Sequence, residues 1–137
     1  MANMNKRRER RGITLIEMAA ALFTLLIITM GVIEYGWMFF KSHQIANAAR
    51  QGARIGARPA SDQADAVAAV NAALTPAGIP LSVVDTLTVL PAPESVAAGT
   101  TFTVTLVVDY DELGLHMPLV PTPATLQSAV TMAREGA

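Results

Sequence analysis

The feature that most constrains this chain is an uncharged, apolar stretch between Glu17 and Glu34. Extended back to Ile13, the stretch would be about 31 Å long as an α-helix with its rise of ~1.5 Å per residue. That length matches the hydrocarbon core of a bilayer, which is roughly 30 Å thick. We therefore predict a transmembrane helix over residues 13–34, with Glu17 inside the edge of the apolar layer.

Charged residues before this stretch predict its orientation. They are mostly basic: Lys6, Arg7, Arg8, Arg10 and Arg11, opposed only by Glu9. Clustered Lys and Arg residues stay on the cytoplasmic side of a membrane. We therefore expect a single-pass protein of the inner, cytoplasmic membrane, with a cytoplasmic N-terminus and a periplasmic or extracellular C-terminal part.

Aromatic residues mark the point where the helix is expected to leave the lipid. Tyr35, Trp37, Phe39 and Phe40 follow Glu34, and aromatic side chains favour the membrane interface. We therefore assign Glu34, Tyr35 and Trp37 to the interface on the exported side. Two interpretations of Glu34 stay open: its carboxylate faces water and headgroups, or it pairs with a basic residue of a partner.

The same helix is predicted to continue out of the membrane through residues 35–58. This segment lacks Pro and is rich in Ala, which favours a helix. Small residues recur at every fourth position, at Ala48, Gly52 and Gly56, so one side of the helix is smooth enough for close packing against another backbone. Pro59 is expected to end the helix.

Residues 59–137 predict a small exported α+β domain. A short amphipathic helix is followed by β-branched segments over residues 81–90 and 101–110, and the second alternates apolar and polar side chains as a half-buried strand does. Residues 124–133 fit either a third strand or a helix. The predicted fold is α+β and pilin-like: a long N-terminal helix, a short helix and an antiparallel sheet of about three strands.

A glycine and a carboxylate stand at the start of the apolar stretch. Gly12 follows the basic block, and Glu17 lies within the apolar segment, where a lone carboxylate is costly. Cleavage after Gly12 would leave a free ammonium group on Ile13, which Glu17 of a neighbouring subunit would neutralise, setting the axial register. The alternative is that Glu17 extends to the cytoplasmic interface.

Three separated elements carry a resemblance to a known family. Residues 12–17 resemble the prepilin cleavage and methylation motif. Residues 31–36 read Gly-Val-Ile-Glu-Tyr-Gly, and residues 48–54 read Ala-Ala-Arg-Gln-Gly-Ala-Arg. In this order, over residues 11–57, they resemble the TadE-like proteins of tight-adherence (Flp-type) pili. The chain departs from the family pattern at Gln51, where Glu is common.

The resemblance implies a structural subunit, a minor pilin or pseudopilin of a tight-adherence (type IVc-like) pilus. Residues 1–12 would be a leader removed by a prepilin peptidase. The implied partners are that peptidase, other pilin and pseudopilin subunits, the inner-membrane assembly platform and membrane lipid. The alternative is an unprocessed, signal-anchored membrane protein whose external domain binds a ligand or partner.

Catalytic, cofactor and metal sites are not indicated, so we expect no enzyme activity. The chain has no Cys, which excludes disulfides, thiolate metal sites and a Cys nucleophile. Its two histidines, His43 and His116, lie in different segments without a matching acid, base and nucleophile set. The net charge of −1 does not suggest nucleic acid, and no motif suggests a small-molecule substrate.

Overall fold

The computed structural model describes the backbone of residues 2–136 and the side chains of residues 14–136. The elements, in chain order, are helix α1 (Ala2–Gly56), helix α2 (Gln63–Leu74), and strands β1 (Val84–Leu90), β2 (Thr101–Asp109) and β3 (Thr125–Ala133). The prediction of an α+β arrangement is confirmed: a long N-terminal apolar helix, a short helix and a three-stranded antiparallel sheet.

Helix α1 is continuous from the predicted membrane segment into the segment that is predicted to be exported. Within the described part of the chain, it is the one helix long and apolar enough to cross a membrane. Apolar side chains of its first half, such as Leu22 and Leu26, are exposed, whereas its second half is packed against the rest of the chain. The helix ends at Gly56, slightly before the predicted end at residue 58, because Pro59 disfavours a helical conformation at the residue before it.

Helix α2 begins with a reciprocal capping box. The Asp65 backbone N–H donates to Asp62 Oδ1 at 2.9 Å, and the Asp62 backbone N–H donates to Asp65 Oδ2 at 3.3 Å. Two N–H groups that a helix start leaves without helical partners are thereby satisfied. The inward face of the helix carries Ala66, Val70 and Leu74, all fully buried, so α2 joins the core through one stripe.

The sheet has the order β1-β2-β3, with both neighbouring pairs antiparallel. Its centre is β2, in which Val104 pairs with Val89 on one side and Val130 on the other. The predicted alternation along β2 holds, with Phe102, Val104, Leu106 and Val108 buried. The choice left open for residues 124–133 is settled, because β3 is a strand whose Cα pairing with β2 is unbroken.

The first strand begins later than the sequence predicts. Leu81–Val83 form a 3₁₀ turn, and β1 starts at Val84. The turn is closed by a hydrogen bond from the Val83 backbone N–H to the Pro80 carbonyl at 3.3 Å. Leu81 is exposed, so extending the strand to include it would gain no burial to compete with the turn.

The far end of the chain is tied to the far end of α1. The Glu135 backbone N–H donates to the Ala57 carbonyl at 2.7 Å, and Arg134 Nη2 donates to the Pro59 carbonyl at 2.7 Å. At the other end of β3, the Ala124 carbonyl accepts from the Tyr110 backbone N–H at 2.7 Å. Strand β3 therefore runs in the same direction as α1, and the sheet lies along the second half of the helix.

Candidate functional site

The junction between α1 and the sheet domain is built around the carboxylate of Glu34, which is fully buried. Tyr110 Oη donates to Glu34 Oε1 at 2.9 Å, and the Met117 backbone N–H donates to Glu34 Oε2 at 3.0 Å. An ionised carboxylate can only accept hydrogen bonds, and here each oxygen has its own donor. Neither of the two predicted environments applies, because Glu34 is enclosed by its own chain.

The donors reach Glu34 because of where β2 ends. Tyr110 is the residue after the strand and continues its buried face, so its ring points towards α1. Met117 lies in the connection from β2 to β3. Burial and the hydrogen bond to the Glu34 carboxylate raise the pKa of Tyr110 to about 12. The phenol therefore stays protonated and donates throughout the physiological range.

Tyr35 and Trp37 also bond to the β2–β3 connection. Tyr35 Oη donates to the Pro121 carbonyl at 3.0 Å, and Trp37 Nε1 donates to the Leu113 carbonyl at 2.8 Å. Tyr35 is exposed and Trp37 half-buried. The sequence predicts that both residues lie at the membrane interface. In the structure, each of them holds the β2–β3 connection against the same turn of α1.

Sequence reasoning missed Lys41, which is almost completely buried. Its Nζ donates to the carbonyls of Ala77 and Gly78 at 3.2 and 3.5 Å and lies 5.0 Å from the centroid of the Trp37 ring. These contacts satisfy a buried ammonium group with carbonyl dipoles and an aromatic face. The sequence feature that could have identified Lys41 is its position on the same helical face as Glu34, two turns further along α1.

Two members of the strip of small residues, Gly52 and Gly56, face α2 of the same chain. Ala48, Gly52 and Gly56 are buried. A Cβ atom at Gly52 would overlap Val70 Cγ2 and lie 3.0 Å from the Ala66 carbonyl oxygen, and a Cβ atom at Gly56 would lie 3.1 Å from Ala66 Cβ. The two glycines therefore permit the close contact of the two helices, and this close approach is within one chain.

The residues predicted for processing and register lie at the other end of α1. Glu17 is exposed on the isolated helix. Gly12 and Ile13 lie outside the residues whose side chains the structure describes, so no contact of the predicted cleavage site is assigned. The structure does not bring Glu17 near the junction at Glu34, since about 25 Å of helix separates them at ~1.5 Å per residue.

This architecture defines a class of protein: one membrane-length helix whose second half is built into a small α+β domain. Within that class, residues 12–54 match the family model described as "TadE-like protein". The predicted resemblance to TadE-like proteins is thereby confirmed over these residues. Comparison with curated proteins and with solved structures gave no match.

Proposed function

We propose that this chain is a minor pilin or pseudopilin, a structural subunit without catalytic activity that takes part in assembling a tight-adherence (type IVc-like) pilus. Residues 1–12 form a leader that a prepilin peptidase removes. Residues 13–34 span the inner membrane with the N-terminus in the cytoplasm, residues 35–58 continue the helix, and residues 59–137 form the exported domain. Its partners are that peptidase, other pilin subunits and the assembly platform.

The observation that carries this proposal is the position of the family match. The match begins at Gly12, immediately after the basic block, and extends through the apolar stretch into the exported helix. It therefore covers the part of the chain on which pilin processing and helix packing would act. The exported domain, with its own strands and connections, lies almost entirely outside the matched residues.

Glu17 has a specific role in the proposed assembly. It is exposed on α1 within the apolar segment, so a neighbouring subunit can reach it. After cleavage, the ammonium group of Ile13 on one subunit would pair with Glu17 on another, and the low dielectric of the lipid strengthens that attraction. The pair would set the axial position of one subunit relative to the next.

Substitution of Glu17 tests the assembly role. Glu17→Gln keeps the size of the side chain and removes its charge. We expect the variant to be processed and inserted. Its yield of crosslinks to other pilin subunits should fall roughly tenfold or more, because one charge of the buried pair then lacks its partner. Glu112→Gln, which neutralises an exposed acidic residue in the β2–β3 connection, is the matched control. Equal crosslinking of the two variants would contradict the proposed role of Glu17.

The rival function, a signal-anchored protein with an external binding domain, predicts a different mature chain. In this rival function, the chain is not cleaved after Gly12, and Glu17 does not pair with the N-terminus of another subunit. A chain that keeps its leader in cells that contain an active prepilin peptidase would favour this rival.

A further inference from the structure

The connection between β2 and β3, residues 110–124, lies at the level where α1 leaves its apolar segment. We refer to it as the membrane-proximal loop. A single turn of α1 makes three hydrogen bonds to this loop. Glu34 accepts from the Met117 backbone N–H. Tyr35 donates to the Pro121 carbonyl, and Trp37 donates to the Leu113 carbonyl. The apolar segment ends at Ile33. The loop is thus held at the boundary between the apolar and polar parts of the helix.

Two leucines of this loop are exposed. Leu115 is 44% exposed and Leu119 is 72% exposed, which equals the exposure of Leu15 in the predicted membrane segment. Leu119 has a φ of 68°, a left-handed conformation that is costly for any residue other than glycine. Hydrogen bonds fix the backbone on both sides of Leu119: Met117 donates to Glu34, and Pro121 accepts from Tyr35. They hold the Leu119 side chain outside the core.

We propose that the membrane-proximal loop is a second membrane contact, in which Leu115 and Leu119 insert into the boundary between headgroups and acyl chains beside α1. The apolar surface of the loop would then be continuous with that of the helix, where Val32 and Ile33 are 68% and 46% exposed. This inference rests on the proposed membrane span of α1, but not on cleavage or pilus assembly.

Charge favours lipid insertion over attraction to anionic headgroups. The charged residues at the start of the loop and directly before it are acidic: Asp109, Asp111 and Glu112. An anionic membrane surface would repel them, so burial of apolar side chains has to supply the binding. Binding of this kind is insensitive to salt, because it does not depend on screened charges.

The contact would fix the orientation of the exported domain. A single helix leaves a domain free to tilt relative to the membrane and to rotate with the helix about its axis. A second apolar contact to one side of the helix restricts both motions.

Fluorescence quenching in vesicles tests the proposal with the full chain. The chain has no cysteine, so Leu119→Cys and Leu90→Cys give single attachment sites for an NBD fluorophore. Leu90 is the matched control, since it is 63% exposed and lies at the opposite end of the sheet. Leu25→Cys, in the middle of the apolar segment, reports on the membrane span. Each labelled protein is reconstituted into phosphatidylcholine vesicles with or without lipid that carries a nitroxide on its acyl chain.

We expect the NBD emission at residue 119 to be blue-shifted and its quenching to be at least roughly twice that at residue 90. This quenching should be unchanged between about 0.1 and 1 M NaCl. Unchanged Trp37 emission in the unlabelled Leu119→Cys protein would show that the loop still docks on α1. Equal, weak quenching at residues 119 and 90 with strong quenching at residue 25 would overturn the loop contact and leave the membrane span intact. Absence of quenching at residue 25 would overturn both.

Discussion

Tyr110 Oη donates a 2.9 Å hydrogen bond to Glu34 Oε1, and both side chains are fully buried. A buried carboxylate without donors is strongly destabilising, so Glu34 depends on Tyr110 and on the Met117 backbone N–H. These bonds join α1, at the end of its apolar stretch, to the end of β2 and to the loop that follows. The position of the sheet domain on α1 therefore depends on a pair of residues far apart in the sequence.

Tyr110→Phe should destabilise the sheet domain by about 1.5–3 kcal/mol, because it removes the side-chain donor to a buried carboxylate. The measurement is urea unfolding of the full chain in detergent micelles, followed by the fluorescence of Trp37, the only tryptophan. Tyr35→Phe is the control, since it removes the same hydroxyl from an exposed side chain. Equal midpoints for the two variants would show that the Glu34 site does not stabilise the fold.

The ionisation of Tyr110 predicts a loss of stability at high pH. Burial and Glu34 raise its pKa to about 12 in the folded chain, above the usual value of about 10. A raised folded pKa means that this contribution to stability is fully present below about pH 10 and is lost as the pH rises towards 12. Absorbance at 295 nm in a Tyr35→Phe chain, which keeps Tyr110 as its single tyrosine, should give a midpoint near 12. A midpoint near 10 while the domain is folded would contradict the buried pair.

Gly52→Ala should lower the stability of the domain by about 1–3 kcal/mol. The added Cβ overlaps Val70 Cγ2 on α2, and this overlap outweighs the gain in helix propensity of up to ~1 kcal/mol. Gly36→Ala is the matched control, because a Cβ there has nothing within 4 Å. Its midpoint in the same urea experiment should stay unchanged or rise.

The overlap at Gly52 also predicts a rescue. Val70→Ala removes the atom that the new Cβ would meet. The double variant should therefore lose less stability than the two single losses combined, since the sites are in contact and their effects do not add. If the stability losses of the two single variants simply added in the double variant, the destabilisation by Gly52→Ala would have to arise from a contact other than Val70.

Asp62→Ala should destabilise the sheet domain by ~1 kcal/mol, because it removes the cap at the start of α2. Asp62 caps the backbone N–H of Asp65 at 2.9 Å, and its own N–H is bonded by the Asp65 side chain. Asp111→Ala, which alters an acidic residue outside the helices, serves as the control. Urea midpoints that fall equally in both variants would indicate a general effect of lost charge.

The regular elements of this fold could be predicted because their signals are local. The alternation from Phe102 to Val108 and the pattern of α2 each reflect a face that must be buried, and a short window of sequence contains the whole pattern. The Pro residue after α1 likewise set its end to within a few residues. For β3 the local signal was ambiguous, and its pairing with β2 decided in favour of the strand.

The junction at Glu34 could not be predicted because its partners are distant in the sequence. Nothing near Glu34 indicates that Tyr110 will approach it, and a carboxylate at the end of an apolar stretch is usually expected to face water. The smooth strip at Gly52 and Gly56 was visible, but the pattern of small residues does not say which backbone approaches. Only the packed structure identifies α2 of the same chain.

The most direct measurement is the mass of the mature N-terminus in cells that contain an active prepilin peptidase. The proposed function predicts a chain that begins at Ile13, with cleavage lost in Gly12→Ala. Gly31→Ala is the matched control, because it makes the same substitution in the same helix at a position with nothing within 4 Å of the added Cβ; it should be cleaved normally. A natural chain that keeps residues 1–12 in such cells would contradict the pilin pathway and remove the partner proposed for Glu17.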